Sequence, residues 1–176
     1  MAFALLDVAM GRGAASEALL MALIPFIWMC VWGGVAFVSA KPYIARLRLG
    51  TIDIEVAPRV VRPGDGMRAL IRMKPTRTLQ INGIRARLVH VETAVSGSGT
   101  SRTTHSNKQV EMEVDVCGAR SLARGSTMTE EAHLRIPAEA VGSFRAEDNA
   151  LEWRVVVEVD IPVWPDFEWS EKVRVV

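Results

Sequence analysis

Between Glu17 and Lys41 the chain carries 23 consecutive residues, Ala18 to Ala40, without a single Asp, Glu, Lys, Arg, His, Asn or Gln. As a helix rising about 1.5 Å per residue this run measures roughly 34 Å, more than the hydrocarbon thickness of about 30 Å, so it can span a bilayer with some tilt. A backbone surrounded by lipid must satisfy its own hydrogen bonds, which leaves a helix as the structure such a run adopts. Pro25 introduces a kink that membrane helices tolerate. Lys41 and Tyr43 suit an interfacial anchor at the far end.

Two other readings compete. Val38-Ser39-Ala40 puts small residues where a signal peptidase cuts, which would release a secreted domain beginning at Lys41. Against it, the run exceeds the usual signal core of about 7–15 residues, and its leader holds only Arg12 as a basic residue. A buried helix of a water-soluble domain rarely lacks polar residues for so long. The favoured reading is an uncleaved transmembrane helix over residues 18–40, preceded by a short segment, 1–17, and followed by one folded domain at 43–176. That remainder is of single-domain size and long enough to bury a core without a disulfide or metal staple. Cys30 in the apolar run and Cys117 in the domain are too differently placed to pair.

Orientation follows from the basic residues flanking the span. Lys41, Arg46 and Arg48 follow it closely and only Arg12 precedes it, so the positive-inside rule places the C-terminal domain in the cytoplasm. Within the span, Trp28 and Trp32 share a helix face, and the small residues Cys30 and Gly34 share the same spacing. Together they form a candidate face for packing against another helix, with plain lipid contact as the alternative.

From Tyr43 onward apolar residues recur with period two, and Gly, Pro, Asn and Ser fill the breaks, which signals strands and turns. Leu47 and Leu49 share one parity while Ile52, Ile54 and Val56 take the other, so a bulge is expected at Gly50. Arg62-Pro63-Gly64-Asp65-Gly66 is a turn, followed by a strand with Met67, Ala69, Ile71 and Met73 inward. Further strands are expected at 81–95 and at 109–117, where Val110, Met112, Val114 and Val116 alternate with acids. Ser96 to Asn107 reads as a mobile hairpin loop. Antiparallel pairing across it sets Arg85 near Asp115 and Arg87 near Glu113. Met128 to Ile136, Leu151 to Ile161 and Phe167 to Val175 complete about seven strands without crossover helices. The fold class is therefore all-β, an antiparallel β-sandwich preceded by one transmembrane α-helix.

Several stretches carry a family resemblance: His133-Leu134-Arg135-Ile136-Pro137, Ser143-Phe144 and Leu151-Glu152-Trp153-Arg154-Val155-Val156-Val157, with the Pro63-Gly64-Asp65 turn and the strand start Asn82-Gly83-Ile84. In these, residues 56 to 176 resemble arrestin-like, immunoglobulin-like domains, one lobe where full arrestins have two. The resemblance implies a scaffold that binds proteins by loops and edges without an active site, and no functional residue is carried over from it.

Chemistry-bearing motifs are scarce. His90, His105 and His133 lack partners at metal-ligand spacing, and no Gly-rich loop joins a strand to a helix as phosphate binding requires. The expectation is a non-catalytic protein with no cofactor and no small-molecule substrate. Charge, however, is sorted along the chain. Lys41 to Lys108 holds thirteen Lys and Arg against four Asp and Glu, a balance of +9, whereas Gln109 to Val176 holds seven against fourteen, a balance of −7. Arg46, Arg48, Arg59, Arg62, Arg68 and Arg72 follow the bilayer exit and form a candidate patch facing anionic lipid or a protein partner. The competing reading pairs these arginines with the acidic strands. Nucleic acid is disfavoured, since the acidic half repels phosphate and no aromatics interleave with the basic residues. The function expected is a membrane-anchored protein-interaction or scaffold module in contact with membrane lipid. The alternatives are a structural subunit of a larger membrane assembly, or a secreted sandwich if residues 1–40 are cleaved.

Overall fold

The computed structural model describes residues 23, 25–36, 39, 40, 43, 46, 47 and 49–176. The chain forms two compact units, Met1–Lys41 and Pro42–Val176. In the first, residues 25–36 are helical. That stretch measures about 18 Å, and among the described residues no helix is long and apolar enough to cross a membrane. Within the expected span the described residues 23, 25–36, 39 and 40 are helical. Its residues 18–22, 24, 37 and 38, like the leading segment 1–17, lie outside the described residues. Trp28 and Trp32 stack with ring centroids 6.5 Å apart, as their spacing of four requires on a helix. Cys30 is exposed, and Gly34 has open space where a Cβ would stand.

The second unit begins differently from the expected strand. Arg46, Leu47 and Leu49 are helical; Leu49 is fully buried while Leu47 is exposed. Gly50 ends this turn with φ of +73° and donates its N–H to the Arg46 carbonyl at 3.2 Å. The change of parity at Gly50 is therefore a helix C-cap and not a β-bulge. Only glycine fits there, since a Cβ would sit 2.6 Å from the Lys74 carbonyl oxygen.

Seven long strands follow, interspersed with four of two or three residues. In chain order they are β1 (Thr51–Ala57), β2 (Val60–Val61), β3 (Gly66–Lys74), β4 (Leu79–Ile81), β5 (Gly83–Ser96) and β6 (Thr103–Cys117). After them come β7 (Arg120–Leu122), β8 (Met128–Arg135), β9 (Phe144–Arg145), β10 (Asn149–Asp160) and β11 (Phe167–Val175). One sheet has the order β1-β3-β8 and the other β2-β11-β10-β5-β6, with β9 also on β10 and β4 paired to β7 apart from both. Every pairing is antiparallel except β2 on β11, which is parallel. The two main sheets bury one core between them, with Ile71, Ile84, Leu88, Val155 and Val157 fully excluded from solvent. Burial of this kind, at about 25 cal/mol per Å² of apolar surface, is what holds the layers together.

The turn before β3 forms as its sequence demands. Asp65 N–H donates to the Arg62 carbonyl at 3.0 Å, and the Arg62 N–H donates to the Asp65 carboxylate at 2.8 Å. Pro63 sits at the second position and Gly64, at φ of +86°, at the third, the pattern of a type II turn. The hairpin between β5 and β6 is shorter than expected. Thr103 to Asn107 pair with Ser96 to Glu92, leaving residues 97–102 as the connection, with a 3₁₀ turn at Gly99–Ser101. Threonine-rich sequence suits a strand, and Arg102 ties the tip to Asp148 at 2.7 Å.

Candidate interaction surface

Strand alternation gives the larger sheet one inner and one outer face. On β10, Leu151, Trp153, Val155, Val157 and Val159 face the core, so Glu152, Arg154, Val156, Glu158 and Asp160 face outward. The Trp153 indole N–H is satisfied inside by the Val141 carbonyl at 2.9 Å. Register carries the outer face sideways in rows. Glu168, Glu158, Arg85 and Asp115 form one row, and Ser170, Val156, Arg87 and Glu113 the next. Lys172, Arg154, Val89 and Val110 form the third.

A register shift between Leu88 and Val89 makes that third row possible. Leu88 faces Met112 but Val89 faces Val110, so Glu111 is the extra residue of a bulge. The expected run of inward residues on β6 therefore breaks. Met112 and Val114 pack on the core, whereas Val110 turns outward and is 47% exposed. Glu111 reaches His90 on the neighbouring strand at 3.1 Å.

The expected register of Arg85 with Asp115 and Arg87 with Glu113 is observed, but both guanidinium groups turn to the central strand. Arg85 donates to Glu158 at 2.5 Å, and Arg87 donates to its other carboxylate oxygen. Arg87 and Glu113 stand 4.0 Å apart. Glu158 is the better acceptor because its strand is flanked on both sides and its side chain is 13% exposed against 45% for Glu113, away from competing water.

At the other end, Glu152 lies where β10 changes neighbours. Ala150 and Leu151 pair with β9, and from Trp153 onward the partner is β11. Glu152 accepts from Lys172 on β11 at 2.8 Å, from Arg154 on its own strand at 2.9 Å, and from Arg145 on β9. Hydrogen bonds from Lys172, Arg154 and Arg145, in that order of effect, hold its carboxyl at about 2, well below the ordinary value of 4.5. One carboxylate cannot neutralise three cations, so this end stays positive. Beside it a groove of about 570 Å³ opens between β9 and the β2–β11 edge, with Leu151, Trp153 and Val173 at its base.

The candidate arginines of the sequence are distributed over the domain. Arg72 bonds Asp53 at 3.1 Å and lies 3.8 Å from Glu55, and Arg68 lies 3.5 Å from Glu131, all on the three-stranded sheet. Arg59 lies 3.5 Å from Glu171 at the edge of the other sheet. Arg62 belongs to the turn, Arg46 to the helical turn before β1, and Arg48 lies outside the described residues. The sequence reading did not reach Arg145, Arg154, Lys172 and Arg174, which are scattered through an acidic half of the chain. Among the described residues no group of three or more His, Cys, Asp or Glu is placed to hold a metal ion. Both cysteines are free, and burial pushes the Cys117 thiol up.

No protein-family model and no curated protein matches the chain. Among solved structures it is similar to Spo0M, a sporulation control protein from Bacillus subtilis, with a TM-score of 0.57 at 16% identity. The domain is an arrestin-like β-sandwich. The match covers 71% of this chain and 48% of Spo0M, so the chain spans about half the length of that protein. At this identity the likeness concerns the fold alone.

Proposed function

We propose that this chain is a membrane-anchored, non-catalytic interaction module, with the charge-free run 18–40 as a single-pass anchor and the sandwich on its cytoplasmic side. One observation supports the interaction role above the others. The outer face of the larger sheet is solvent-facing within the domain, with Glu168, Ser170, Lys172 and Arg174 all exposed, and its charges are sorted by position along the strands. A face that only kept the domain in solution would gain nothing from segregated signs, whereas complementary patches steer a partner and fix its register. The anchor reading rests on the length and polarity of the run and on the basic residues after it.

The test is photo-crosslinking of the full chain in native membranes, with the probe residue placed at Ser170. The expected result is a discrete protein adduct at Ser170 that is missing when the probe stands at Asp53 on the opposite sheet. Adducts to lipid alone, or the same adducts from both positions, would refute the interaction role. A mature chain beginning at Lys41 would refute the anchor.

A further inference from the structure

The outer face of the larger sheet divides into two ends of opposite sign. At one end Asp115, Glu158, Asp160 and Glu168 stand against Arg85. At the other end Lys108, Arg145, Arg154, Lys172 and Arg174 stand against Glu152 and Glu147, with Asp148 taken up by Arg102. In the middle Arg87 and Glu113 offset each other, and Val89, Val110, Val156 and Ser170 supply an uncharged waist. Val89 and Val156 are buried although they point outward. Their row neighbours Arg154 and Arg87 have long apolar stems that cover them. From Glu158 to Ala150 on β10 the pattern runs about 27 Å, since a strand rises about 3.4 Å per residue.

We infer that this face is a self-complementary interface, and that its partner is a second copy of the same chain. A two-fold axis lying in the interface plane at the waist, parallel to the rows, turns the two faces onto each other and lays the acidic end of each copy on the basic end of the other. That is the isologous arrangement usual in homodimers. Any other partner must bring its own matching pair of opposite patches; a second copy has them already. Four strands at about 4.8 Å spacing over about 27 Å give roughly 500 Å² per copy and about 1,000 Å² in total, which reaches the size at which specific association begins. Tethering to one membrane aligns the copies and raises their effective concentration, so a modest interface suffices. The inference rests on the interaction-module reading, yet the two fail separately: a different protein crosslinked at Ser170 would leave that reading intact and overturn the self-pairing.

The experiment is a charge swap in the full chain, read by co-purification of two differently tagged copies from membranes. Lys108→Glu with Arg174→Glu removes the positive excess of the basic end, where Arg145, Arg154 and Lys172 remain, and leaves the Glu152 network in place. Asp115→Lys with Glu168→Lys removes the negative excess of the acidic end and leaves Glu158 in place. Each double variant paired with itself should co-purify about tenfold less than wild type, because the attraction between opposite ends is then lost. The acidic variant mixed with the basic variant regains one of the two opposite-sign contacts and should co-purify well above either variant paired with itself. Wild-type pairing should also fade as salt rises from about 0.05 to about 0.5 M. Self-pairing of either variant at the wild-type level would place the contact elsewhere, the apolar helix included, and overturn the proposal. Loss in both variants without recovery on mixing, or no co-purification of wild type, overturns it as well.

Discussion

Glu152 is the residue whose removal should be felt most widely across the outer face, and Glu152→Gln isolates its charge while keeping its shape. In the folded domain the carboxyl titrates at about 2 against an ordinary 4.5, a gap worth roughly 3 kcal/mol at 1.36 kcal/mol per pH unit. Arg145 and Lys172 are mostly exposed, at 72% and 57%, so solvent screening reduces the net contribution to about 1–2 kcal/mol. The folded value is depressed, so this stability is fully present above about pH 4.5 and is lost as pH falls from there towards 2. Urea unfolding of the full chain in neutral detergent, followed by near-ultraviolet circular dichroism, measures it. Glu152→Gln should be less stable than wild type by about 1–2 kcal/mol near pH 7, and the difference should shrink towards zero near pH 2. A difference of the same size at both pH values would show that the glutamate acts by shape or packing, and would refute the electrostatic assignment. No difference near pH 7 would refute it too.

Two further substitutions probe backbone positions. Gly50→Ala forces a side chain into a left-handed conformation against the Lys74 carbonyl and should cost about 2–3 kcal/mol; a wild-type denaturation midpoint would rule out the C-cap assignment. Val163 occupies the third position of the Ile161–Trp164 turn at φ of +66°, fully exposed, where a type II turn calls for glycine. Val163→Gly should therefore raise thermal stability by about 0.5–1 kcal/mol after glycine's own entropic cost, and a lowered melting temperature would count against it.

What the sequence could disclose divides along a physical line. Inward-facing residues announce themselves by periodicity, because the core accepts only apolar side chains. Met67, Ala69, Ile71 and Met73 on β3 and Leu151 through Ile161 from β10 onward are buried as the alternation predicts. Alternation fails where the backbone adds a residue. The bulge at Glu111 reverses the parity of Val110, and no residue type in Gln109-Val110-Glu111-Met112 marks it, since it exists only to match β6 to β5. Gly50 is the converse case: the parity change was visible, but a glycine between two apolar runs fits a bulge and a helix cap equally well.

The interaction surface was less legible than the core, for a related reason. Counting charge along the chain finds a basic first half and an acidic second half, and it draws attention to Arg59, Arg62, Arg68 and Arg72. A sheet sorts charge by row, and a row takes one residue from each of several strands. Lys172, Arg154 and Lys108 come from three strands, two of them in the acidic half, and they meet only because antiparallel register brings one end of each strand to the same end of the sheet. Half-to-half asymmetry is consumed mostly in cross-strand pairs such as Arg85 and Arg87 with Glu158. The asymmetry that remains for a partner runs perpendicular to the rows, along the strand direction. A linear count averages over that axis because each strand crosses it in the opposite sense from its neighbour, so the polarity of the face emerges only once register is known.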